Sequence, residues 1–283
     1  MGYNNYIKED KKAMSTLYIV ATPIGNLEDI SLRALRTLRE VRLIAAEDTR
    51  QTKRLLSAYD IKTPMTSYHE HNKRTKLDYI LGRLDDGDVA LVCDAGTPGI
   101  SDPGYELIVA AKQRGTPVVP IPGPSAVITA LVASGMPTEK FTSIGFLPHK
   151  ASGRRRLLES VANETGTIII MESPHRLQAA LNDILLALGN RKIAVCRELT
   201  KFHEEVFQGT ISQTIEHFTE PRGEFTLVIE GKMKEAKPQI TEDIERRLCD
   251  MRLSGITAKT AVAQIAGETG LSKKELYQVW LRS

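Results

Sequence analysis

The sequence predicts an α/β fold followed by a small helical segment. Short apolar stretches alternate with stretches of helical periodicity from residue 17 to about residue 230, which is the pattern of strands joined by helices. From residue 241 onward, apolar residues recur only at helical spacing. The length of 283 residues suggests two domains or one large domain.

Composition and charge are those of a soluble globular protein. Hydrophobic residues make up 41% of the chain, and the formal net charge is only +3, so any nucleic-acid-binding surface must be local. Cys93, Cys196 and Cys249 show no CxxC spacing and predict neither a disulfide framework nor a zinc site. No apolar run is long enough to span a membrane, and residues 1–14 lack the apolar centre of a signal peptide. We therefore expect a mobile tail at 1–14 and a cytoplasmic protein.

The first half of the chain alternates between predicted strands and helices. Asp29 or Ser31 can cap the first helix, whose apolar residues include Leu32, Leu35 and Leu38. The predicted strands are residues 17–21, 41–46, 89–93 and 117–121, and later helices are predicted at 76–84, 105–114 and 126–134.

Ionisable residues follow the second of these strands, and others lie on a further predicted strand at residues 65–71. Glu47, Asp48 and Arg50 lie where the second strand ends and a helix begins. A functional cluster, or an ion pair combined with helix capping, would explain them equally well. His69 and His71 form an HxH pair on a predicted strand, but no cysteine is near them, and we predict no metal site.

The segment after residue 93 is the strongest candidate for a ligand site. Asp94 is followed by a loop of about ten residues that is dense in Gly and Pro, whereas strand-to-helix connections usually take about two to six residues. In open α/β sheets, ligands bind just beyond the carboxyl ends of the strands. Ser125 opens a later helix, where its hydroxyl and the first-turn amides could bind an anionic group or serve as an ordinary cap.

The second half begins with a basic segment. Strand 141–146 leads into a predicted loop at 147–156, which could contact RNA phosphates or be a solvated loop; its basic residues include Lys150, Arg154, Arg155 and Arg156. Further strands are predicted at 167–171, 193–196 and 225–230, with helices ending near 188 and at 218. The final helices resemble a helix-turn-helix unit or a small docking bundle.

Six motifs in this order resemble the ribosomal RNA small subunit methyltransferase I family, which belongs to the tetrapyrrole-methylase-like, class III S-adenosylmethionine-dependent enzymes. The resemblance runs from about residue 15 to the C-terminus. The motifs are Leu-Tyr-Ile-Val-Ala-Thr-Pro-Ile-Gly-Asn-Leu (17–27), Ala-Glu-Asp-Thr-Arg (46–50), Cys-Asp-Ala-Gly-Thr-Pro-Gly-Ile-Ser-Asp-Pro-Gly (93–104), Pro-Ile-Pro-Gly-Pro-Ser-Ala (120–126), Gly-Phe-Leu-Pro (145–148) and Glu-Ser-Pro-His-Arg (172–176).

The resemblance implies an architecture and a reaction. It implies two α/β domains, at 15–122 and 123–235, with S-adenosylmethionine in the cleft between them, a helix-turn-helix-like tail at 240–283, and a homodimer. The implied reaction is methylation of a cytidine ribose 2′-hydroxyl in the decoding region of small-subunit (16S) ribosomal RNA, either as free RNA or in the assembled small subunit. No membrane is expected to take part.

The resemblance also implies a set of cofactor-binding residues. The first loop, Thr-Pro-Ile-Gly-Asn, departs from the Gly-rich loop ending in an acid that the tetrapyrrole branch favours, and this departure favours the RNA branch. The implied cofactor residues are Pro23, Ile24, Asp94, Ala95, Gly96, Thr97, Ser125, Ala126, Met171, Glu224, Phe225 and Thr226.

Methyl transfer from a sulfonium is an in-line displacement that needs no metal, and orientation can supply much of the rate. A base near the weakly acidic ribose hydroxyl could add a factor of about 10²–10⁴. The candidates at strand ends are Glu47, Asp48, Glu172 and His175. Rival hypotheses are tetrapyrrole methylation and a non-catalytic, cofactor-sensing RNA-binding module. A nucleotide-binding α/β protein is disfavoured because no GxGxxG or P-loop fingerprint follows a strand.

Overall fold

The computed structural model describes residues 15–233 and 239–282. These residues form two compact units, one ending at Lys232 and one beginning at Met233. The predicted mobile tail at 1–14 lies outside the described residues. The first unit contains two β-sheets with helices and the second contains helices only, which confirms the predicted fold class.

Five parallel strands form the first sheet: β1 (Leu17–Val20), β2 (Leu43–Ala46), β3 (Met65–Ser67), β4 (Val89–Val92) and β5 (Val118–Ile121). Their order is β3-β2-β4-β1-β5, with Leu17 opposite both Val89 and Val118. The helices between them are α1 (Leu32–Glu40), α2 (Thr49–Ala58), α3 (Lys73–Arg83) and α4 (Tyr105–Gln113). β2 and β4 are buried along their whole length, as expected for parallel strands.

Two local features of this sheet refine the sequence predictions. Ser31, rather than Asp29, caps α1, because its Oγ accepts a hydrogen bond from the Ala34 amide at 3.1 Å. β3 is shorter than predicted, so His69 and His71 follow the strand instead of lying on it. The Asn72 side chain accepts a hydrogen bond from the His69 amide at 2.8 Å and so turns the chain into α3.

A mixed second sheet follows α5 (Ala126–Ser134). Its strands are β6 (Phe141–Phe146), β7 (Thr167–Glu172), β8 (Lys192–Arg197), β9 (Glu205–Thr210) and β10 (Phe225–Ile229), in the order β6-β7-β10-β8-β9. Only β6 and β7 are parallel to each other. The helices α6 (Ala151–Ser160), α7 (Pro174–Leu188) and α8 (Ile211–His217) connect these strands.

The predicted basic loop at 147–156 is wrong in its second half, because α6 begins at Ala151. Arg154 lies one turn before the buried Leu158 and is itself buried. Its Nε donates to Asp183 on α7 at 2.6 Å, and Arg155 donates to the other carboxylate oxygen at 2.8 Å. Burial alone would raise the pKa of Asp183, but these hydrogen bonds from Arg155 and Arg154 outweigh burial and lower it. Arg154 therefore joins two helices and is unavailable to RNA, which corrects its prediction as an RNA-binding residue.

Replacing Arg154 by Ala should lower the free energy of unfolding by about 3–5 kcal/mol, because it breaks a buried ion pair. The matched variant Arg155→Ala removes a side chain that is 57% exposed and pairs with the same carboxylate, so it should cost less than about 1 kcal/mol. Urea unfolding followed by circular dichroism measures both. Equal losses in the two variants would contradict this assignment.

The unit that begins at Met233 contains the helices α9 (Glu242–Leu253), α10 (Ala258–Thr269) and α11 (Lys273–Arg282). Leu248, Ile265, Leu276 and Trp280 are buried in a small core of their own. Gly270 ends α10 in the left-handed conformation, with φ of 73°, which is a common helix terminator. Within residues 15–233 and 239–282, none of the helices has the length and apolar character needed to cross a bilayer.

Candidate functional site

A cleft of about 420 Å³ opens at the carboxyl ends of the first sheet's strands and is closed on its other side by the second sheet. Because parallel strands end at one edge of a sheet, their following loops converge there. Every predicted cofactor residue except Pro23 lines this cleft. The predicted residues that it brings together are Ile24, Asp94, Ala95, Gly96, Thr97, Ser125, Ala126, Met171, Glu224, Phe225 and Thr226.

A short bridge shapes the wall that the first sheet contributes. The Thr22 amide donates to the Gly96 carbonyl at 2.8 Å, and the Gly96 amide returns a hydrogen bond to the Thr22 carbonyl at 3.0 Å. Gly96 has a φ of +83°, which a side chain would disfavour. The loops that follow β1 and β4 are therefore fixed to each other, and both present backbone to the cleft.

Three carboxylates face the cleft from this wall. Asp94 accepts a hydrogen bond from the Asp48 amide at 3.0 Å, and the Glu47 carboxylate accepts one from the Asp94 amide at 3.3 Å. Asp102, which the sequence reasoning did not select, lies in the same Gly-rich loop. Burial raises the pKa of Glu47, Asp94 and Asp102 above their ordinary values. The wall is thus acidic and suited to a positively charged ligand.

Asp48, a predicted catalytic candidate, does not line the cleft. It caps α2 by accepting a hydrogen bond from the Arg50 amide at 2.8 Å, and it pairs with the Arg50 guanidinium at 2.7 Å. Hydrogen bonds from the Arg50 side chain and backbone hold the pKa of Asp48 at about 2. The structural alternative, an ion pair with helix capping, therefore describes this residue, and we withdraw it as a base.

Glu172 ends β7 at the opposite wall and is fully buried. Its Oε1 pairs with Arg176 at 2.5 Å and accepts a hydrogen bond from the Ser173 amide at 2.8 Å. Its Oε2 is buried and has no hydrogen-bond partner among the described residues. Arg176 also donates to the Leu147 carbonyl at 3.0 Å, which ties the end of β6 to α7. Such an unsatisfied carboxylate oxygen is costly unless a ligand supplies the donor.

His175, another predicted catalytic candidate, is exposed and is not among the residues that line the cleft. It lies in the first turn of α7 and borders a separate shallow depression with Arg222 and Glu220. His175 therefore cannot act in the cleft as this structure stands, which corrects the prediction.

The N-terminus of α5 points its first turn at the cleft. Ser125 is the N-cap, with its Oγ accepting from the Ile128 amide at 3.5 Å. Ser125, Ala126 and Val127 all line the cleft, where the first-turn amides have no intrahelical carbonyl partner. This end of the helix can receive an anionic group such as a carboxylate.

Several lining residues were missed from the sequence because long-range packing places them. Burial raises the pKa of one of them, the Cys196 thiol, to about 11. Strand alternation on β8 and the length of the Gly-rich loop are the only sequence signals that could have found them. The missed residues are Ile100, Ser101, Asp102, Val127, Phe146, Ser173, Pro174, Cys196 and Leu199.

Loops from the two sheets touch at the rim. A Cβ atom at Gly25 would lie 2.6 Å from Thr200 Oγ1 and 2.9 Å from the Leu199 carbonyl oxygen. Ile24 and Leu199, on either side of this contact, both line the cleft. Gly25 is therefore needed for the close approach of the two walls.

The cleft fits S-adenosylmethionine in size and chemistry. Its volume lies in the range of small-molecule sites, about 300–1,000 Å³. Apolar residues such as Ile24, Met171 and Leu199 form much of its surface. The carboxylates suit a sulfonium or ammonium group, and the N-terminus of α5 suits a carboxylate.

The fold and cleft define a tetrapyrrole methylase-like protein. Residues 16–215 match the family model described as Tetrapyrrole (Corrin/Porphyrin) Methylases. A uroporphyrin III C-methyltransferase from Thermus thermophilus aligns with a TM-score of 0.56 at 18% identity, covering 76% of this chain and 97% of that one. Cobalt precorrin-4 methyltransferase aligns with a TM-score of 0.58 at 15% identity, covering 78% and 97%. At these identities the structures establish the fold alone.

Relatives of higher sequence identity identify the family within this class. The ribosomal RNA small subunit methyltransferase I of Halalkalibacterium halodurans is 46% identical over 98% of this chain and 97% of its own length. Those of Synechocystis and Bacillus subtilis are 48% and 44% identical, each over 95% of this chain and over 98% and 95% of their own. The chain belongs to the ribosomal RNA small subunit methyltransferase I family and is an S-adenosylmethionine-dependent methyltransferase.

The affinity for S-adenosylmethionine should increase as pH rises above about 4, the ordinary value for a carboxylate. Because burial raises the pKa of the cleft carboxylates, they ionise at higher pH than exposed carboxylates do, and a cationic ligand favours their ionised form. Linkage then allows up to about a tenfold gain per pH unit for each ionising group. Isothermal titration calorimetry across this range measures the slope.

Asp94→Asn should flatten that pH dependence, because it removes one of the titrating groups. Asp85→Asn is the matched control, since Asp85 is 69% exposed and does not line the cleft. An affinity that is independent of pH in the unaltered protein would contradict a role for ionised carboxylates.

Proposed function

We propose that the protein methylates the 2′-hydroxyl of a cytidine ribose in the decoding region of small-subunit (16S) ribosomal RNA. The observation that carries this proposal is the buried, unpartnered Oε2 of Glu172 at the wall of the cofactor cleft. A carboxylate oxygen in that position can accept the proton of a weakly acidic hydroxyl. The names of relatives at 44–48% identity over most of the chain supply the substrate class.

Different cleft residues bind the cofactor, exclude water and orient the reacting groups. Bound S-adenosylmethionine supplies an electrophilic methyl group on a positively charged sulfur. Asp94 and its neighbours hold the cofactor electrostatically, and the α5 N-terminus receives its carboxylate. The apolar wall at Met171 and Leu199 excludes water and fixes orientation, which can supply about 7–11 kcal/mol of the barrier reduction.

Glu172 acts as the general base in this proposal. Arg176 and the Ser173 amide hold its Oε1, whereas its Oε2 has no hydrogen-bond partner among the described residues, and Glu172 is one of the residues that line the cleft. A hydroxyl that enters the cleft would satisfy this oxygen and pass it a proton as the methyl group is transferred. Before substrate binds, Arg176 compensates the negative charge of the buried Glu172 carboxylate.

Glu172→Gln should lower kcat by about 10²–10⁴-fold, because the amide cannot accept the proton. The affinity for S-adenosylmethionine should stay within about threefold, since Gln keeps an oxygen for Arg176. Turnover is measured with radiolabelled cofactor, and thermal unfolding checks that the variant is folded.

Asp48→Asn is the control for this experiment, because Asp48 lies outside the cleft and its pairing is with Arg50. Its turnover should be close to that of the unaltered protein. Near-full turnover in Glu172→Gln would remove Glu172 as the base.

RNA contact is expected on basic residues outside the cleft. Lys150, Arg155 and Arg156 are exposed at the start of α6, which follows the strand that ends at the cleft residue Phe146. Exposed Lys and Arg side chains bind backbone phosphates and fix the position of an RNA. A small planar tetrapyrrole needs no such surface, and this difference favours the RNA substrate over the tetrapyrrole alternative.

The expected assembly is a homodimer, and the expected compartment is the cytoplasm. Ile128 and Val132 are exposed one turn apart on α5, 48% and 73% respectively, and provide an apolar strip for a second copy. All three cysteines are unpaired, as is usual in a reducing compartment. Light scattering of the purified protein tests the dimer, and a monomer at all concentrations would exclude it.

The reaction is tested by mixing the protein with tritiated S-adenosylmethionine and undermethylated small ribosomal subunits. The label should appear on one cytidine ribose after digestion of the RNA. Free ribosomal RNA and precursor particles are assayed in parallel to identify the form of the substrate. Absence of label in all three, with the cofactor bound, would refute the proposal and favour tetrapyrrole methylation or cofactor sensing.

A further inference from the structure

The loop between β8 and β9, residues 198–204, carries the most exposed large apolar side chain of the described residues. Phe202 is 97% exposed, and within residues 15–233 and 239–282 its ring contacts one other ring, that of His203, edge to face at 5.0 Å. Three residues earlier, Leu199 lines the cofactor cleft. The exposed aromatic side chain therefore lies on a loop that also contributes a residue to the cofactor cleft.

The backbone of this loop is held in a strained conformation. Glu198 and Thr200 have φ values of 50° and 68°, and positive φ is rare for a β-branched residue such as Thr. Backbone strain of this kind persists only where the surroundings enforce it and is concentrated at functional sites. A loop that only connects two antiparallel strands would not require a strained backbone.

Ionic and hydrogen-bond contacts enforce this conformation. Glu198 Oε1 accepts from Lys201 Nζ and from the Glu224 amide, both at 2.9 Å. Lys201 pairs in addition with the Glu224 carboxylate at 2.9 Å, and the Thr200 amide donates to Glu204. Gly25, on the other wall of the cleft, packs closely against this loop, since a Cβ there would lie 2.6 Å from Thr200 Oγ1. These contacts hold the loop backbone in place, so the exposed ring of Phe202 lies on an ordered loop.

An exposed arginine lies on the loop next to the one that carries this ring. His203 follows it directly, and Arg222, with a side chain 82% exposed, lies on the adjoining loop, where its carbonyl accepts from Arg197 at 2.7 Å. Its only ion pair among the described residues is a long one of 3.7 Å with Glu220. An exposed aromatic ring can stack on a nucleobase and an exposed arginine can bind a phosphate, and these are the two kinds of contact that hold single-stranded nucleic acid.

We propose that Phe202 is a stacking platform for a nucleobase of the RNA substrate at the rim of the cofactor cleft. This inference rests on the proposed RNA substrate and specifies how that substrate is positioned. A ribose hydroxyl can enter a cleft of this size only if its nucleotide leaves the surrounding stack. Specific RNA recognition commonly offsets the lost stacking by placing an unstacked base on an aromatic side chain.

The test compares the binding of undermethylated small subunits to Phe202→Ala, Phe202→Trp and the unaltered protein by filter binding between 50 and 200 mM salt. Phe202→Ala should weaken binding by about 5–100-fold, the loss expected for one base stacked on an aromatic ring. Phe202→Trp should stay within about threefold, because the larger ring still stacks. The affinity for S-adenosylmethionine should be unchanged in both variants.

Salt dependence separates stacking from charge and from loss of structure. Phe202→Ala should keep the slope of log affinity against log salt, whereas Arg156→Ala should lower that slope by about one. Leu186→Ala is the matched control for an exposed apolar side chain, since Leu186 is 75% exposed on α7 and does not line the cleft. It should change neither quantity.

Unchanged subunit binding by Phe202→Ala would overturn the proposal. If that variant instead dissociated a dimer in light scattering and bound subunits normally, a second copy of the chain would be the partner of Phe202, and the proposal would also fail. The binding assay needs no turnover, so it decides the role of Phe202 even if the protein labels no RNA and the proposed reaction itself is refuted.

Discussion

The ion pair between Glu172 and Arg176 organises the wall of the cleft that the second sheet provides. Arg176 joins the end of β7, the first turn of α7 and the turn after β6 through one guanidinium. Burying these charges costs free energy that their attraction only partly offsets. Because Arg176 and the Ser173 amide engage one carboxylate oxygen, the other is buried without a hydrogen-bond partner among the described residues, in a residue that lines the cleft.

A second buried pair in the same half of the protein shows the contrast. Arg154 and Arg155 engage both oxygens of Asp183, so that carboxylate has no oxygen left without a partner. Both pairs connect α7 to a neighbouring segment. In the sequence, both consist of polar residues next to basic residues or in predicted loops. What distinguishes them is the number of satisfied oxygen atoms, which only the three-dimensional arrangement defines.

The sequence predicted the features that depend on local chemistry. The alternation of apolar stretches gave the strands, and the Gly- and Pro-rich loop after β4 located the cofactor wall. Prediction from the sequence failed where packing between distant segments determines the position of a side chain. Arg154 was assigned to a loop because its charge suggested exposure, and His175 was assigned to the cleft because it lies near Glu172 in the chain. Cys196 and Leu199 were missed because a strand end in the second sheet meets the first only after folding.

The buried thiol of Cys196 has a consequence for the survival of the protein during turnover. A thiolate in the cleft would be a better nucleophile than any hydroxyl and would compete for the methyl group of the donor. Because burial raises its pKa to about 11, the thiol stays protonated at neutral pH. The apolar packing that shapes the cleft thus also protects the protein from alkylating itself.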